Sequence, residues 1–410
     1  MSRDVSSQPL RPSVRSEVGQ LQTVLLHRPG DELTRITPSN MDELLFDELL
    51  WVEHAQIEHD AFAQVLGDSG VEVLHLEDLL AEVLADAALA ERVIARHVTE
   101  AVCGPYVADD VRAVLLDELP AALAGHLIAG VTLEEVGVTG GLVTAVSAPT
   151  EPLVAPVPNL VFARDASAWI GEGVVLSPMN RPIRRRETDL VRTIYREHPR
   201  FAAAPVWFGD EPQDTFPATF EGGDVLVVGD RGLAIGLSER TTPSGVETLA
   251  GRLFAADVVD RILAVDLPKV RAAMHLDTIV SQVDIGTFLT YPRMTRELRA
   301  FQLSADGPRG MHATEADSFR AGLAWASGLD HVEVIEPALS SGRAEREQWN
   351  DANNTFALRP GEVVAYERNV ATNEILDAAG ITVRTIPSFE LPRGRGGPRC
   401  MTCPVRRGPL

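Results

Sequence analysis

Residues 218–237 read ATFEGGDVLVVGDRGLAIGL: two apolar runs joined by the turn Gly229-Asp230-Arg231-Gly232, the pattern of a β-hairpin. Residues 244–255, SGVETLAGRLFA, follow with apolar positions at helical spacing, and RILAVDL (261–267) is a further strand. The stretch is therefore a strand–strand–helix–strand unit. The same order recurs near 157–209, where NLVFARDASAWIGEGVVLSPM precedes the helical RRETDLVRTIYREH and then APVWFG. It recurs near 350–390, with NNTFALRPGEVVAYER, NEILDAAG and ITVRTIP. Two looser copies lie at 20–76 and 275–337. The first has LQTVLLHRP, a helix around 50–69 and VEVLHL; the second has DTIVSQVDIGTFLTYP, a less regular helical stretch and HVEVIE.

Five such units can close into a ring whose polar strand-start residues converge on one cavity. An ordinary α/β protein showing this rhythm by chance is the competing reading. Residues 77–150 break the rhythm: LEDLLAEVLADAALAERVIARHV and VADDVRAVLLDELPAALAGHLIAG are Ala/Leu-rich with helical spacing and no strand signal. The expected organisation is a mobile polar arm over 1–19, an α/β body over 20–76 and 151–410, and an inserted α-helical subdomain over 77–150.

Composition narrows the function. The 410-residue chain carries 37 basic and 59 acidic residues, net −22, which repels nucleic-acid backbones and suits a cationic small molecule. Three cysteines (Cys103, Cys400 and Cys403) do not make a disulfide framework and suit a reducing cytosol. The N-terminus lacks an apolar targeting core, and no run approaches the roughly 18–20 apolar residues of a membrane span. A cytoplasmic protein is expected, with no nucleic-acid or membrane partner.

Polar clusters stand where the units begin: Asn159, Arg164 and Asp165 in NLVFARD, Glu221 and Asp224 in FEGGD, His275 and Asp277 in HLDT, Asn350 and Asp351 in WNDANN. Singly each has a plain structural explanation, since Asp and Asn cap turns and Gly222–Gly223 suits a bulge or tight bend. Together with WIGEGVVLSPMNRPIRRRET (169–188), EREQWNDANN (345–354), GRGGPRCMTCP (394–404) and residues 24–51, they carry a resemblance. The chain resembles the arginine deiminases of the guanidine-modifying (pentein) superfamily, over nearly its whole length.

That resemblance implies a five-unit pseudo-symmetric α/β propeller with an inserted helical subdomain, hydrolysing L-arginine to L-citrulline and ammonia. It implies Cys400 as nucleophile, His275 as acid and base, Glu221 orienting His275, and Asp165 with Asp277 gripping the guanidinium. Arg184, Arg240 and Asn159 match positions that hold the amino-acid end of the substrate. Asp224 is placed with the substrate-binding groups, and Arg395 matches a mobile residue shielding the site. No metal or organic cofactor is implied, and a homo-oligomer (dimer or tetramer) is expected. Arg186 reads as a solvated member of a basic run. Arg399 departs from the histidine that other members can carry, and receives no role; the basic tail after Cys400 also has none.

Other members of the superfamily remain open at this point: agmatine deiminase, dimethylarginine hydrolase and amidinotransferase. Agmatine lacks the carboxylate that would give Arg184 and Arg240 a purpose. A redox or zinc protein built on the Cys400/Cys403 pair is a different class, but a zinc site wants four ligands and only Cys103 remains as a third thiol.

Overall fold

The computed structural model describes residues 10–210, 215–307 and 310–410. Val225–Gly229 and Gly232–Leu237 pair antiparallel, helix Pro243–Ala255 follows, and Arg261–Asp266 returns parallel to Gly232–Leu237. Local chemistry starts the helix at Thr242, whose hydroxyl accepts the Gly245 N–H at 3.2 Å, with Pro243 at a position that has no helical partner to lose. Val246, Leu249 and Leu253 then fall on one face and are buried with Leu233, Ile235 and Ile262. Each such side chain contributes about 1.5–3 kcal/mol on leaving water.

Four more sheets contain the same arrangement. Ser167–Ile170 pairs antiparallel with Gly173–Leu176, which pairs parallel with Val206–Phe208. Val280–Asp284, Thr287–Thr290 and Glu333–Ile335 repeat it, as do Phe356–Arg359, Glu362–Tyr366 and Thr382–Ile386. In the remaining sheet Leu21–Leu26 pairs parallel with Glu72–His75, but its antiparallel partner is Cys403–Arg407, from the end of the chain. The tail that carried no reading in the sequence is thus a sheet strand immediately after Cys400. Its position is fixed further by Arg407, which donates to the Gly19 carbonyl at 2.8 Å.

Several expectations change. Residues 1–9 of the expected arm lie outside the described residues, whereas 10–19 are packed. Val14 exchanges backbone hydrogen bonds with Gly171 at 2.8 and 2.7 Å, and Val14 and Val18 are buried. The irregular stretch before 331 contains a hairpin, Ala300–Asp306 with Gly310–Glu315, ahead of helix Phe319–Ser327. That hairpin joins the sheet of Arg261–Asp266 rather than the sheet of its own unit, making it five-stranded.

Between 76 and 146 the structure is mainly helical, from Leu76–Leu84 through Gly141–Val146, but Val131–Thr132 forms a short ribbon with Pro152–Val154. Arg186 is not a solvated charge: it donates to the carbonyls of Leu127 (at 2.9 Å) and Ala155, tying these helices to the body. Both acceptors belong to segments distant in sequence, so the basic run alone could not reveal them. Among the described residues no helix is long and apolar enough to cross a membrane.

The approach to Cys400 is pinned from a distance. The carboxylate of Glu58, in helix Val52–Asp68, accepts the N–H groups of Phe389, Glu390 and Leu391 at 2.6–3.0 Å. Glu390 in turn accepts the Trp51 N–H at 2.9 Å. Tyr366 donates to the Gly396 carbonyl at 2.7 Å. Charge-assisted bonds thus hold the backbone at 389–391, and a neutral hydroxyl holds the glycine-rich stretch that follows.

Candidate active site

Tight turns lead into the first strands of three units, and these turns carry the chemistry. Ala163–Ala166 is a single helical turn ending at strand Ser167–Ile170 and presents Asp165. The turn Gly222–Asp224 follows Glu221, and the turn Leu276–Thr278 follows His275 and holds Asp277. Cys400 stands three residues before its strand. Ion pairs and hydrogen bonds join Asp165, Glu221 and His275 into one buried set and Cys400 with Asp277 into another, and the Arg164 N–H, donating to the Cys400 carbonyl at 3.1 Å, links the two regions.

His275 Nε2 lies 2.9 Å from Glu221 Oε2, and its Nδ1 lies 3.6 Å from Asp165 Oδ1. The Cys400 thiol donates to Asp277 Oδ2 at 3.6 Å. Gly222 and Gly223 are explained by close approach, not by a bulge. A Cβ on Gly222 would stand 2.0 Å from the Arg164 carbonyl oxygen, and one on Gly223 would stand 2.6 Å from His275 Nδ1 and 2.8 Å from Asp165 Oδ1. Gly223→Ala is therefore expected to lower kcat about 100-fold by displacing the imidazole, with a near-unchanged melting temperature. Steady-state kinetics beside a thermal melt check this; wild-type kcat would contradict it.

Burial would lower the pKa of His275, but the charge of Asp165, the hydrogen bond to Glu221 and the charge of Asp224 outweigh it and raise the pKa to about 9. The ring is an imidazolium at neutral pH. Burial opposes ionisation of Glu221 too, yet Arg240, His275 and Arg184 hold it well below the usual carboxylate range. Cys400 is driven the other way: burial first, then the charges of Asp277, Asp165 and Asp351, push its pKa well above that of a free thiol. Asp165 Oδ1, Asp277 Oδ1 and Asp351 Oδ2 are buried oxygens without hydrogen-bond partners. The nucleophile candidate thus sits among acceptors suited to a planar, multiply donating cation.

Around this cluster stand the residues expected at the amino-acid end. Arg184 is buried, bonds Asp165 Oδ2 at 2.8 Å and Glu187 at 2.8–3.2 Å, and lies 3.5 Å from Glu221. Arg240 lies 3.4 Å from Glu221 and 3.1 Å from Glu239. Asn159 donates to the Leu44 carbonyl at 2.7 Å, and its own carbonyl accepts from Arg184 at 3.4 Å.

Asp224 differs from the expectation of a substrate contact, because the protein already engages both its oxygens. Oδ2 accepts from Ser238 and Thr241 at 2.6 Å each, and Oδ1 accepts the Leu276 N–H at 2.9 Å. It anchors the turn beside His275. Arg395 stacks 3.7 Å over the Trp349 ring and donates to the Trp349 carbonyl, while its Nε and Nη2 are buried without hydrogen-bond partners, Nε lying 4.0 Å from the Asp47 carboxylate. Its φ of 65° is left-handed, a conformation held by its surroundings at the end of the turn Leu391–Gly394.

Three further residues at the site received no role from the sequence. Asn354 accepts the Cys400 N–H at 3.0 Å and donates to the Asp277 carbonyl at 3.0 Å, locking nucleophile and carboxylate together. Asp351 is buried in a left-handed conformation, and burial raises its carboxyl to about 7. Both lie in the WNDANN cluster that the sequence did single out. Arg399 is buried and donates to Asp277 Oδ2 at 2.8 Å. Adjacency to Cys400 was its only signal. Cys403 faces elsewhere: its sulfur lies 3.6 Å from the Ser167 carbonyl and 3.8 Å from the Tyr195 hydroxyl.

Asp165, Glu221 and His275 place ligand-type atoms within 4.8 Å of one another, the spacing a metal ion could use. The guanidiniums of Arg184 and Arg240 lie 2.8–3.5 Å from the same carboxylates, however, and their positive charge opposes a divalent cation there.

A buried thiol, an imidazolium and paired carboxylates thus meet on an α/β scaffold, and the class follows from comparison with known proteins. The chain belongs to the arginine deiminase family, whose profile, described as "Arginine deiminase", matches residues 42–407. Among solved structures it is similar to the N-terminal domain of ArgZ, an arginine dihydrolase of cyanobacteria solved covalently bound to a reaction intermediate. There the identity is 17%, the TM-score 0.54, and the match covers 95% of this chain and 99% of that one. It is also similar to SxtG, an amidinotransferase of the saxitoxin biosynthetic pathway from Microseira wollei, with 16% identity, a TM-score of 0.57 and 97% of each chain covered. At these identities the two structures bear on fold.

Proposed function

We propose that this protein is an arginine deiminase, hydrolysing L-arginine to L-citrulline and ammonia at Cys400. The observation that carries the reading is the pair Asp165 and Asp277 around the thiol, each with one buried oxygen that accepts no hydrogen bond. Two such oxygens fit the N–H edges of a guanidinium. The Cys400 thiolate attacks the guanidinium carbon, a new S–C bond forms, and His275 gives its proton to the departing nitrogen, which leaves as ammonia. The product is an S-alkylthiouronium. His275, now neutral, takes a proton from water, whose oxygen attacks the same carbon. The S–C bond then breaks as the adduct's remaining hydroxyl proton passes to solvent, returning the thiolate and releasing neutral citrulline.

Arg184, Arg240 and Asn159 are assigned to the substrate's α-carboxylate end, and Arg395 to the closure over it. Asp224 is assigned to holding the His275 turn. The five sheets are read as a closed ring, with the strand Cys403–Arg407 completing the first sheet. The reaction drawn uses no cofactor or metal, and the three unpaired, buried cysteines suit the reducing cytoplasm.

The acids that suppress Cys400 ionisation also attract the substrate, whose positive charge then favours the thiolate. Binding a guanidine analogue of arginine is expected to lower the Cys400 titration midpoint by about two pH units. Thiolate absorbance against pH reads this directly, and an unmoved midpoint would contradict it. The function itself is tested by measuring citrulline and ammonia from L-arginine, with agmatine, a methylated arginine and an amine acceptor as controls. Turnover of L-arginine to citrulline above the controls is expected. Faster turnover of agmatine or methylated arginine, amidine transfer, or ornithine in place of citrulline would replace the reading with another of the superfamily's reactions.

A further inference from the structure

The segment that the sequence reads as a free arm reaches Arg399, the residue before the nucleophile. Glu17 is buried, and its carboxylate accepts from Arg399 through a two-pronged contact: Nε to Oε2 at 2.9 Å and Nη2 to Oε1 at 3.1 Å. Arg399 Nη2 also donates to the Val225 carbonyl at 2.8 Å, and the Val227 N–H donates to Glu17 Oε1 at 3.1 Å. The remaining arm of the guanidinium, Nη1, meets Asp277 Oδ2 at 2.8 Å. That is the oxygen facing the Cys400 sulfur at 3.6 Å.

We propose that Glu17 is a positioning residue of the active site, acting through Arg399 to orient Asp277 and to set the charge felt by Cys400. The inference rests on the reading of Cys400 as the nucleophile and deepens it. A two-pronged contact fixes the plane of a guanidinium in a way a single bond cannot. With the plane fixed from the Glu17 side, Nη1 takes Oδ2 of Asp277 and leaves Oδ1 for substrate. The charges are coupled as well. Arg399 is shared between two carboxylates, so its field at Asp277 and Cys400 depends on Glu17. Arg164 and Arg407 also face Glu17, and Asp277, Asp165 and Asp351 face Cys400. Glu17 lies outside the residues matched by the family profile, which begin at 42.

A purely structural role, docking residues 10–19 onto the body, is the alternative, and the test separates the two. Glu17→Gln, Glu17→Asp and Val14→Ala are compared with wild type, each also in a Cys400→Ser background. The difference in thiolate absorbance within each pair gives the Cys400 midpoint without substrate. Glu17→Gln removes one buried negative charge and leaves Arg399 less compensated, so the midpoint is expected to fall by about one pH unit.

Val14→Ala loosens the same segment without changing charge and is expected to leave the midpoint at the wild-type value. Glu17→Asp keeps the charge but shortens the reach. It is expected to raise KM for L-arginine about tenfold at a wild-type midpoint, which keeps the proposal testable if Glu17→Gln does not fold. A Glu17→Gln midpoint equal to wild type, an equal shift in Val14→Ala, or a wild-type KM in Glu17→Asp would overturn it. Failure of the wild-type protein to hydrolyse L-arginine would instead remove the functional reading, because the thiolate measurement needs no turnover.

Discussion

Cys400→Ser is expected to abolish turnover of L-arginine, by about four orders of magnitude or more, while Cys403→Ser keeps most of it. The two cysteines are three residues apart but occupy different surroundings. Cys400 donates to Asp277, receives orientation from Asn354, and lies among three acids that each have a buried oxygen accepting no hydrogen bond. A serine there keeps the geometry but loses a nucleophile that can ionise when a cation arrives. Cys403 is the first residue of a sheet strand, opposite Leu25, with its sulfur against Ser167 and Tyr195. Its replacement alters packing behind the site and touches no reacting group. Equal loss in the two variants would show that they act as a pair and would contradict the one-nucleophile chemistry.

Glu221→Gln is expected to lower kcat at neutral pH by about 100- to 1,000-fold and to lower the His275 titration midpoint by more than one pH unit. The sign follows from the forces on the ring. Burial favours neutral imidazole, and the anions of Asp165, Glu221 and Asp224 reverse that preference, raising the midpoint to about 9. Removing one anion moves the balance back toward the neutral form. The variant should therefore lose the proton that ammonia needs as pH rises through the lowered midpoint, well below the wild-type value. Imidazole titration by NMR, beside kcat at several pH values, measures both effects. A midpoint unchanged by Glu221→Gln would mean that Glu221 does not stabilise the charged ring.

Strand–strand–helix–strand order was legible because it is local. Val225–Leu237 alternates with glycine turns, and Pro243–Ala255 carries its own cap and helical spacing, so each element is set by neighbours in sequence. The five polar residues at the centre were legible through motif resemblance, since each stands in a short turn before a strand. What escaped depends on distant segments. Hairpin 300–315 was missed because its outer strand is mostly exposed and polar, leaving little apolar alternation to read. The role of 403–407 as a strand is settled by Leu21–Leu26, far earlier in the chain, because pairing between distant segments is invisible to local patterns.

Charged residues were the hardest to place. Arg186 reads as a solvated charge in sequence, and Arg399 and Glu17 carry no sign of a role there, because the partners of all three lie in distant segments. Their partners are Leu127 and Ala155 for the first, and one another with Asp277 for the other two. Asp224 was the converse case. It stands in the FEGGD motif with Glu221, but Ser238, Thr241 and Leu276 supply its partners, so motif membership did not separate a supporting carboxylate from a reacting one.

The central claim is covalent catalysis by Cys400, and rapid acid quenching during turnover of L-arginine, followed by mass spectrometry of the Cys400 peptide, tests it most directly. The account predicts an adduct on Cys400 with the mass of arginine less ammonia, present during turnover and absent once substrate is exhausted. An unmodified Cys400 under verified turnover in the same samples, or the adduct on another residue, would contradict it.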